Sequence, residues 1–194
     1  MAVKNFMARG NSKLSRTILC WNITPIVSCP NCTDCKNTCY AIGAYRRFPD
    51  CKIAWDRNFE LSRSGQFVPY VIGQISRSRT VKAVRIHVSG DFFSREYILQ
   101  WYHIAKMFPH LHFYGYTKTF MGFPVELEKL CSLHNVNIID SIAIDGGLNY
   151  GDKKRIAELK AMGYHVCKGT PDVFKCGREC SYCFKGKKPC FPIH

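Results

Sequence analysis

The sequence predicts an α/β protein with a parallel sheet and cysteine-rich metal-binding loops, and three observations support this prediction. From residue 81 onward, strand-like segments alternate with helix-like segments, which is typical of right-handed β-α-β units. The 12 cysteines of the 194 residues fall mainly into two dense groups. Apolar residues make up 46% of the chain, which is enough for a hydrophobic core without covalent cross-links.

The chain is predicted to form a single domain, 1–194, because this length fits one domain better than two. Within it we expect a loosely held basic arm over residues 1–16, an α/β core over 17–170 and a cysteine-rich C-terminal segment over 171–194. The first cysteine group lies in the loop after the first predicted strand, and the second lies in the C-terminal segment.

The first half of the core is predicted to contain one strand followed by three helices. β-Branched and aromatic residues predict the strand, and Pro25 and Pro30 then mark a loop. The spacing of Phe67, Val71 and Ile75 predicts the third helix. The strand covers 17–23 and the helices cover 40–47, 51–63 and 66–79, with a break at 49–50.

The second half is predicted to contain four strands separated by three helices. The run from Val81 to Val88 ends in apolar residues, as expected of a buried strand. Pro124 and Glu126 suit the first turn of a helix. The predicted strands are 81–88, 111–117, 136–144 and 164–168, and the predicted helices are 95–108, 124–134 and 152–162.

Both cysteine groups have spacings that suit metal ligation. The first has gaps of two, two and three residues, which is the spacing of the bacterial ferredoxin run without its proline. The second has gaps of three and two residues, followed by a fourth cysteine. Four thiolates satisfy either a four-iron four-sulfur cluster or a zinc ion, and the spacing does not distinguish between them. It also does not distinguish one composite site from two separate sites. The predicted ligands are Cys29, Cys32, Cys35, Cys39, Cys176, Cys180, Cys183 and Cys190.

The compartment follows from the cysteine pattern. Disulfide frameworks spread more evenly, whereas tight cysteine pairs indicate metal in a reducing cytoplasm. The first twenty residues lack the long apolar run of a signal peptide, and no run of 18 apolar residues predicts a membrane span. We therefore expect a cytoplasmic protein without a membrane partner. The isolated cysteines, which we expect to be buried structural thiols, are Cys20, Cys51, Cys131 and Cys167.

The formal charge of +14 accompanies the cysteine groups. Residues 1–80 carry a net +8, residues 81–150 are neutral, and residues 151–194 carry +6. One interpretation is an anionic partner such as nucleic acid. The other is compensation, because a four-iron cluster held by four thiolates is itself negative. Composition favours neither interpretation over the other.

Polar residues follow three of the predicted strands. They are Ser89, Gly90 and Asp91, then Thr117 and Lys118, and finally residues 145–147. Parallel α/β folds place their sites at the carboxyl ends of strands, so these residues are expected to line a shared pocket. Taken separately, each segment also fits an ordinary turn. His87, within a predicted strand, is expected to be a hydrogen-bonded core residue.

The run from Cys176 to Cys183, with Tyr182 before its last cysteine, resembles the cluster motif of radical S-adenosylmethionine enzymes. The resemblance implies a partial, TIM-like barrel of parallel β-α units and a four-iron cluster that binds S-adenosylmethionine. It also implies that Gly90 allows close backbone approach and that Asp91 holds the amino group of this cofactor. The cofactor-binding residues expected are Ser89, Gly90, Asp91, Thr117 and Lys118.

The position of this motif departs from that family, in which it follows the first strand. In this chain the loop after the first strand holds the first cysteine group, with a different order of gaps. Either the first group binds an activating cluster and the second an auxiliary cluster, or the order is permuted. The former needs fewer assumptions.

A closer resemblance covers the chain from about residue 20 to residue 183. Three segments resemble those of the phage "gene product 88" family, namely CKNTCYA at 35–41, VRIHVSGDF at 84–92 and FYGYTK at 113–118. This resemblance implies a phage or prophage origin, and hence the host cell cytoplasm. It indicates kinship and implies no particular activity.

Three classes of function fit these patterns. The first is an iron–sulfur protein with radical S-adenosylmethionine chemistry on an unknown substrate. The second is a basic, metal-stabilised module that binds nucleic acid without catalysis. The third is a phage effector that binds a host protein through exposed aromatic residues.

Overall fold

The computed structural model of the chain describes residues 7–11, 14–32, 36–37, 39–140, 154, 157, 161, 164–166 and 188–190. The strands are β1 (Ala8–Arg9), β2 (Ile18–Trp21), β3 (Ala83–Ile86), β4 (His112–Thr117), β5 (Val136–Asp140), β6 (Tyr164–Val166) and β7 (Lys188–Cys190). The helices are α1 (Tyr40–Arg47), α2 (Pro49–Ser62), α3 (Phe67–Ser76), α4 (Arg95–Met107) and α5 (Pro124–Cys131). Phe120–Gly122 is a short 3-10 helix.

The larger sheet has five strands in chain order, β1-β2-β3-β4-β5. β1 runs antiparallel to β2, whereas β2, β3, β4 and β5 are parallel to their neighbours. Right-handed crossovers between strands in chain order place their helices on one face of the sheet. The α/β prediction is confirmed, with a mainly parallel sheet. β6 and β7 form a second, two-stranded parallel sheet.

One face of the larger sheet packs against α3, α4 and α5 and forms the main core. Trp21 of β2 contacts Phe67 of α3 and Trp101 of α4, with ring centroids 5.2 and 6.3 Å apart. All three side chains are fully buried. Because aromatic side chains bury the most apolar area, this cluster contributes strongly to the stability of the fold.

The opposite face of the sheet carries the residues that alternate with those of the core. Ile18, Cys20, Ala83 and Tyr114 form a smaller apolar cluster there together with Leu14. Arg85 and Tyr116 extend from the same strands, and we call this surface of β2, β3 and β4 the second face.

Two of the differences between predicted and observed element boundaries have a clear local cause. The break between α1 and α2 falls at Phe48, and Pro49 begins α2, because proline is favoured in the first turn of a helix. β3 ends at Ile86 and not at residue 88. The reason is His87, whose φ of 63° is incompatible with a strand.

The N-terminal arm is more ordered than we expected. Ala8 and Arg9 pair with Cys20 and Leu19 of β2, while Met7 and Leu14 are each 3% exposed. Burial of apolar side chains on both sides of β1 thus attaches part of the predicted loose arm to the sheet.

Some predictions fall on residues outside those described. The strand predicted over 136–144 is confirmed as β5 up to Asp140, and the strand predicted over 164–168 is confirmed as β6 up to Val166. The helix predicted over 152–162 is described at residues 154, 157 and 161, which are helical. Segment 145–147 and most of 171–194 lie outside the described residues.

Candidate functional site

The carboxyl ends of β2, β3 and β4 meet at one edge of the sheet, since these strands are parallel and adjacent. Two backbone hydrogen bonds continue the pairing past the strand ends. The His87 amide donates to Trp21 O over 2.9 Å, and the Ile23 amide donates to Ser89 O over 3.1 Å. The predicted polar segments after β3 and β4 therefore lie beside each other, as the sequence analysis expected.

Gly90 is required where β3 gives way to the next loop. Its φ is +87°, and a Cβ added there would lie 2.2 Å from Ile23 Cγ1 and 2.6 Å from Ser28 Oγ. The Ser89 hydroxyl donates to Ile23 O over 2.9 Å and the residue is buried. Ser89 and Gly90 thus join the loop after β3 tightly to the segment that leads into the loop of the first cysteine group. We call that loop, which carries Cys29, Cys32, Cys35 and Cys39, the cysteine loop.

Asp91 joins the loop after β3 to the end of β4. Its Oδ1 accepts hydrogen bonds from Thr117 Oγ1 at 2.7 Å and from the Phe92 amide at 2.8 Å, and its Oδ2 accepts one from the Lys118 amide at 2.9 Å. Burial raises the pKa of Asp91, and the hydrogen bonds from Thr117 and the Lys118 and Phe92 amides oppose that rise. A carboxylate has about four acceptor positions, so Oδ2 can accept a further donor.

Thr117 and Lys118 play different parts in this arrangement. Thr117 is buried, and its hydroxyl lies 2.6 Å from that of Thr119, which is also buried. The Lys118 side chain is exposed, while its carbonyl accepts a hydrogen bond from Asn31 Nδ2 at 2.9 Å. Thr117 therefore supports Asp91, and of the two only Lys118 can direct its side chain toward a ligand.

The cysteine loop is attached to this edge of the sheet at two points. Asn31, between Cys29 and Cys32, reaches the end of β4 through Lys118. Tyr40, which directly follows Cys39, donates its hydroxyl to Val88 O beyond β3. The loop after β2 thus spans the ends of β3 and β4.

Three predicted ligands of the first group, Cys29, Cys32 and Cys39, lie among the described residues of this loop. Burial raises the pKa of Cys29 to about 12, the Ile26 amide lowers it, and the negative charges of Asp91 and Cys32 raise it further. The pKa of Tyr40 is raised by burial and by Cys39 and Cys29. Cys29 is thus influenced by Cys32 and Asp91, and Tyr40 by Cys29 and Cys39, as expected of charges on one loop.

The described residues contain no group of three or more His, Cys, Asp or Glu side chains arranged to hold a metal ion. Cys35 of the first group and Cys176, Cys180 and Cys183 of the second lie outside the described residues. Cys190 is described only as part of the backbone of β7. The eight-cysteine ligand set thus stays a prediction.

Two single residues behave as expected from the sequence. Cys20 is 2% exposed, and burial raises the pKa of its thiol to about 11, as for a structural cysteine. His87 is buried, its Nε2 lies 2.9 Å from the Tyr97 hydroxyl, and burial lowers its pKa to about 3. The core role predicted for His87 is confirmed. Cys51 and Cys131 are only partly buried, and Cys167 lies outside the described residues.

The sequence analysis missed a cation on the second face. Arg85 of β3 lies over the rings of Tyr116 and Tyr114, with its Cζ 5.3 and 6.0 Å from the ring centroids. The signal for it was present in the sequence, as a charge between Val84 and Ile86 in an otherwise apolar strand.

In the part of the chain that the structure describes, no helix has both the length and the apolar content needed to cross a bilayer.

The protein is thus an α/β protein whose cysteine loop lies over the ends of its parallel strands. Comparison with known proteins shows the family to which it belongs. The chain belongs to the Gene product 88 family, whose model matches residues 4–145. It is 23% identical to the Gene 88 protein of Mycobacterium phage D29 over 194 residues, covering 83% of this chain and 80% of that protein. It is 28% identical to the Gene 88 protein of Mycobacterium phage L5 over 102 residues, covering 47% and 43%. No solved structure matches the chain.

Proposed function

We propose that this phage-family protein is an iron–sulfur protein that binds S-adenosylmethionine and acts on an unknown substrate in the host cytoplasm. One observation carries the proposal: the loop that holds Cys29, Cys32 and Cys39 is attached through Asn31 and Tyr40 to the carboxyl edge of a parallel sheet, next to Asp91. That edge is where α/β folds place ligands. A partial barrel would also begin with adjacent parallel strands in chain order, and β2 to β5 have this order.

The donor set fits a cluster. Thiolates are the usual ligands of four-iron clusters, and Cys35 would supply the fourth sulfur of the first group. The charge of Arg85 lowers the pKa of Tyr40, the neighbour of Cys39. This charge would partly offset that of a bound cluster. The second group would hold an auxiliary cluster, and zinc is the alternative metal for both groups.

The residues around the loop have separate parts in this proposal. Gly90 lets the loop after β3 approach Ile23 and Ser28 closely, and Asp91 Oδ2 would accept a hydrogen bond from the ammonium group of S-adenosylmethionine. Lys118 offers its exposed ammonium group to an anionic part of the ligand, whereas Ser89 and Thr117 keep the loop and the carboxylate in position. A reduced four-iron cluster, when bound, supplies the electron for cleavage of the cofactor.

The first test is metal content after anaerobic purification. The proposal expects iron and sulfide with broad absorbance near ~400 nm, lost in Cys35→Ala and Cys39→Ala. Cys29→Ala should have a smaller effect, because only three ligands are needed when one iron stays open to the cofactor. The matched control is Cys51→Ala in α2, which should keep the full iron content. A colourless wild-type protein with stoichiometric zinc and no sulfide would end the iron proposal.

The second test is reductive cleavage of S-adenosylmethionine by the cluster-loaded protein in the presence of dithionite. Asp91→Asn should keep the iron and weaken binding of the cofactor, because one amide nitrogen replaces an acceptor oxygen. If the loaded wild-type protein neither binds nor cleaves S-adenosylmethionine, the catalytic part of the proposal is wrong.

A second candidate function, binding of nucleic acid, is favoured by the net charge of +14. Contacts with phosphates give an affinity that falls steeply as the salt concentration rises. Salt-dependent binding of nucleic acid by a protein that does not cleave S-adenosylmethionine would support this candidate. Salt-independent capture of a purified host protein would instead favour the effector hypothesis.

A further inference from the structure

Arg85 is a largely buried cation at the centre of the second face. It lies opposite Cys20 of β2 and Tyr114 of β4 in the sheet register, and both of these neighbours are only 2% exposed. The Nε atom of Arg85 is fully buried and has no hydrogen-bond partner among the described residues. A polar nitrogen in this position is unusual, because buried polar groups are normally hydrogen-bonded.

The charge of Arg85 increases the energetic cost of a missing partner. A guanidinium group stays protonated at any physiological pH, and a buried charge is destabilising unless it is paired. The ion pairs found in the described part of the chain involve other cations, namely Lys52, Arg63 and Arg95. The rings of Tyr114 and Tyr116 stabilise the charge through their faces, but a ring face does not supply the acceptor that Nε lacks.

We propose that Arg85 anchors an anion-binding pocket on the second face, which takes a carboxylate or phosphate group of a small-molecule ligand. The planar guanidinium fork binds two oxygens of either group in a bidentate manner. Tyr114 and Tyr116 place their rings against the guanidinium group.

The pocket gives the proposed function a substrate class. If the protein is the proposed enzyme, the anionic group belongs to its substrate, and this part of the inference rests on the proposed function. Anion binding itself depends only on the arrangement around Arg85. Iron content and anion binding are measured separately, so failure of one leaves the other standing.

The test is the melting temperature of the full-length, anaerobically purified protein in phosphate, in glutarate and in chloride at equal ionic strength. A ligand of the folded state raises the melting temperature in a saturable way. We expect phosphate or glutarate to do so, and the more effective of the two identifies the phosphate or the carboxylate as the group bound. Arg85→Met should abolish the rise, while Arg79→Met, which removes an exposed positive charge, should retain it.

A conservative variant keeps the test decisive if Arg85→Met does not fold. Arg85→Lys keeps the charge and loses the fork, so it should bind the effective anion about tenfold more weakly, with the iron content of the wild type. The proposal is wrong if neither anion raises the melting temperature of the wild type above that in chloride. It is also wrong if Arg85→Lys binds as tightly as the wild type.

Discussion

At the scale of single residues, the edge of the sheet depends on backbone conformations that ordinary side chains avoid. Gly90 and His87 both have positive φ values, +87° and 63°, within four residues of each other. The left-handed region costs about 1–3 kcal/mol for a residue other than glycine. Such conformations persist only where the surrounding contacts enforce them. In this protein those contacts are the hydrogen bonds of the Ser89 hydroxyl and of the Asp91 carboxylate.

Substitution of Gly90 by alanine should lower the free energy of unfolding by about 3 kcal/mol. The added Cβ would meet Ile23 at 2.2 Å in a conformation unfavourable to alanine. Urea denaturation of the two proteins measures the effect. The matched control is Gly43→Ala in α1, where nothing lies within 4 Å of the new Cβ. The control should be unchanged or more stable by up to about 1 kcal/mol, and equal stability of Gly90→Ala and wild type would contradict the prediction.

His87 should make the protein sensitive to mild acid. Burial lowers its pKa from 6.5 to about 3, so the unfolded chain binds a proton near pH 6.5 and the folded chain does not. Stability is therefore lost as the pH falls from about 6.5 toward 3. At pH 5 the loss relative to pH 7 should be about 2 kcal/mol from this residue.

The measurement for His87 is the free energy of unfolding across this pH range for wild type and His87→Asn. Asparagine tolerates positive φ and does not titrate, so the variant should show a shallower pH dependence even if it is less stable overall. His110→Asn at an exposed position is the control and should keep the slope of the wild type. An unchanged slope in His87→Asn would show that the histidine is not the acid-sensitive group.

At the scale of elements, the end of α4 is held by one side chain from the loop before β5. Asn135 Nδ2 lies 3.1, 3.0 and 3.1 Å from the carbonyl oxygens of Ala105, Phe108 and Leu111. The last carbonyls of a helix lack partners within the helix. The Asn135 amide, with two N–H donors, lies within reach of one carbonyl in the last turn of α4, one at its C-cap and one just before β4. It therefore joins the end of α4 to the start of β4.

Asn135→Ala should lower the free energy of unfolding by about 2–3 kcal/mol, because buried carbonyls lose their donor. Urea denaturation is the measurement. Ser132→Ala removes an exposed hydroxyl that donates to Lys129 O, and it should change stability by less than about 0.5 kcal/mol. Comparable effects of the two substitutions would mean that Asn135 does not stabilise this junction of α4 and β4.

Local patterns explain which elements could be predicted. Helical spacing in α3, the N-terminal signals of α5 and the apolar run of β3 were enough to predict these elements, because each depends on residues close in sequence. The two-residue strand β1 has no such signal, and its pairing with β2 arises from tertiary contacts. The burial of Met7 and Leu14 is likewise a consequence of the assembled sheet.

The candidate site was predictable only in part, for the same reason. The residues after β3 and β4 were expected at one edge, and the structure places them there. Their roles depend on distances that the sequence does not contain. The Thr117 hydroxyl and the Lys118 backbone amide both donate hydrogen bonds to the Asp91 carboxylate. Arg85 was visible as a charge in a strand, but its position beside Tyr114 follows from the register of β3 against β4.

At the scale of the whole molecule, the main core and the cysteine loop are separate sources of stability. The Trp21, Phe67 and Trp101 cluster lies on the helix face of the sheet, whereas the loop joins the strand ends through Asn31 and Tyr40. A fold of this size does not need a metal to form its core. The apoprotein should therefore be folded, with the metal adding stability through the loop.

Metal loading should accordingly raise the melting temperature of the whole protein, and it should do so more strongly at higher pH. Thiols bind metal as thiolates, so each ligand releases its proton on binding. Because this release is favoured at a low proton concentration, loading becomes more favourable as the pH rises. Parallel melting curves and iron contents between pH 6 and pH 8.5 measure this. Cys39→Ala should melt like the wild-type apoprotein at every pH. An apoprotein that is unfolded throughout this range would contradict the separation of core and loop. Metal loading that is independent of pH would also contradict it.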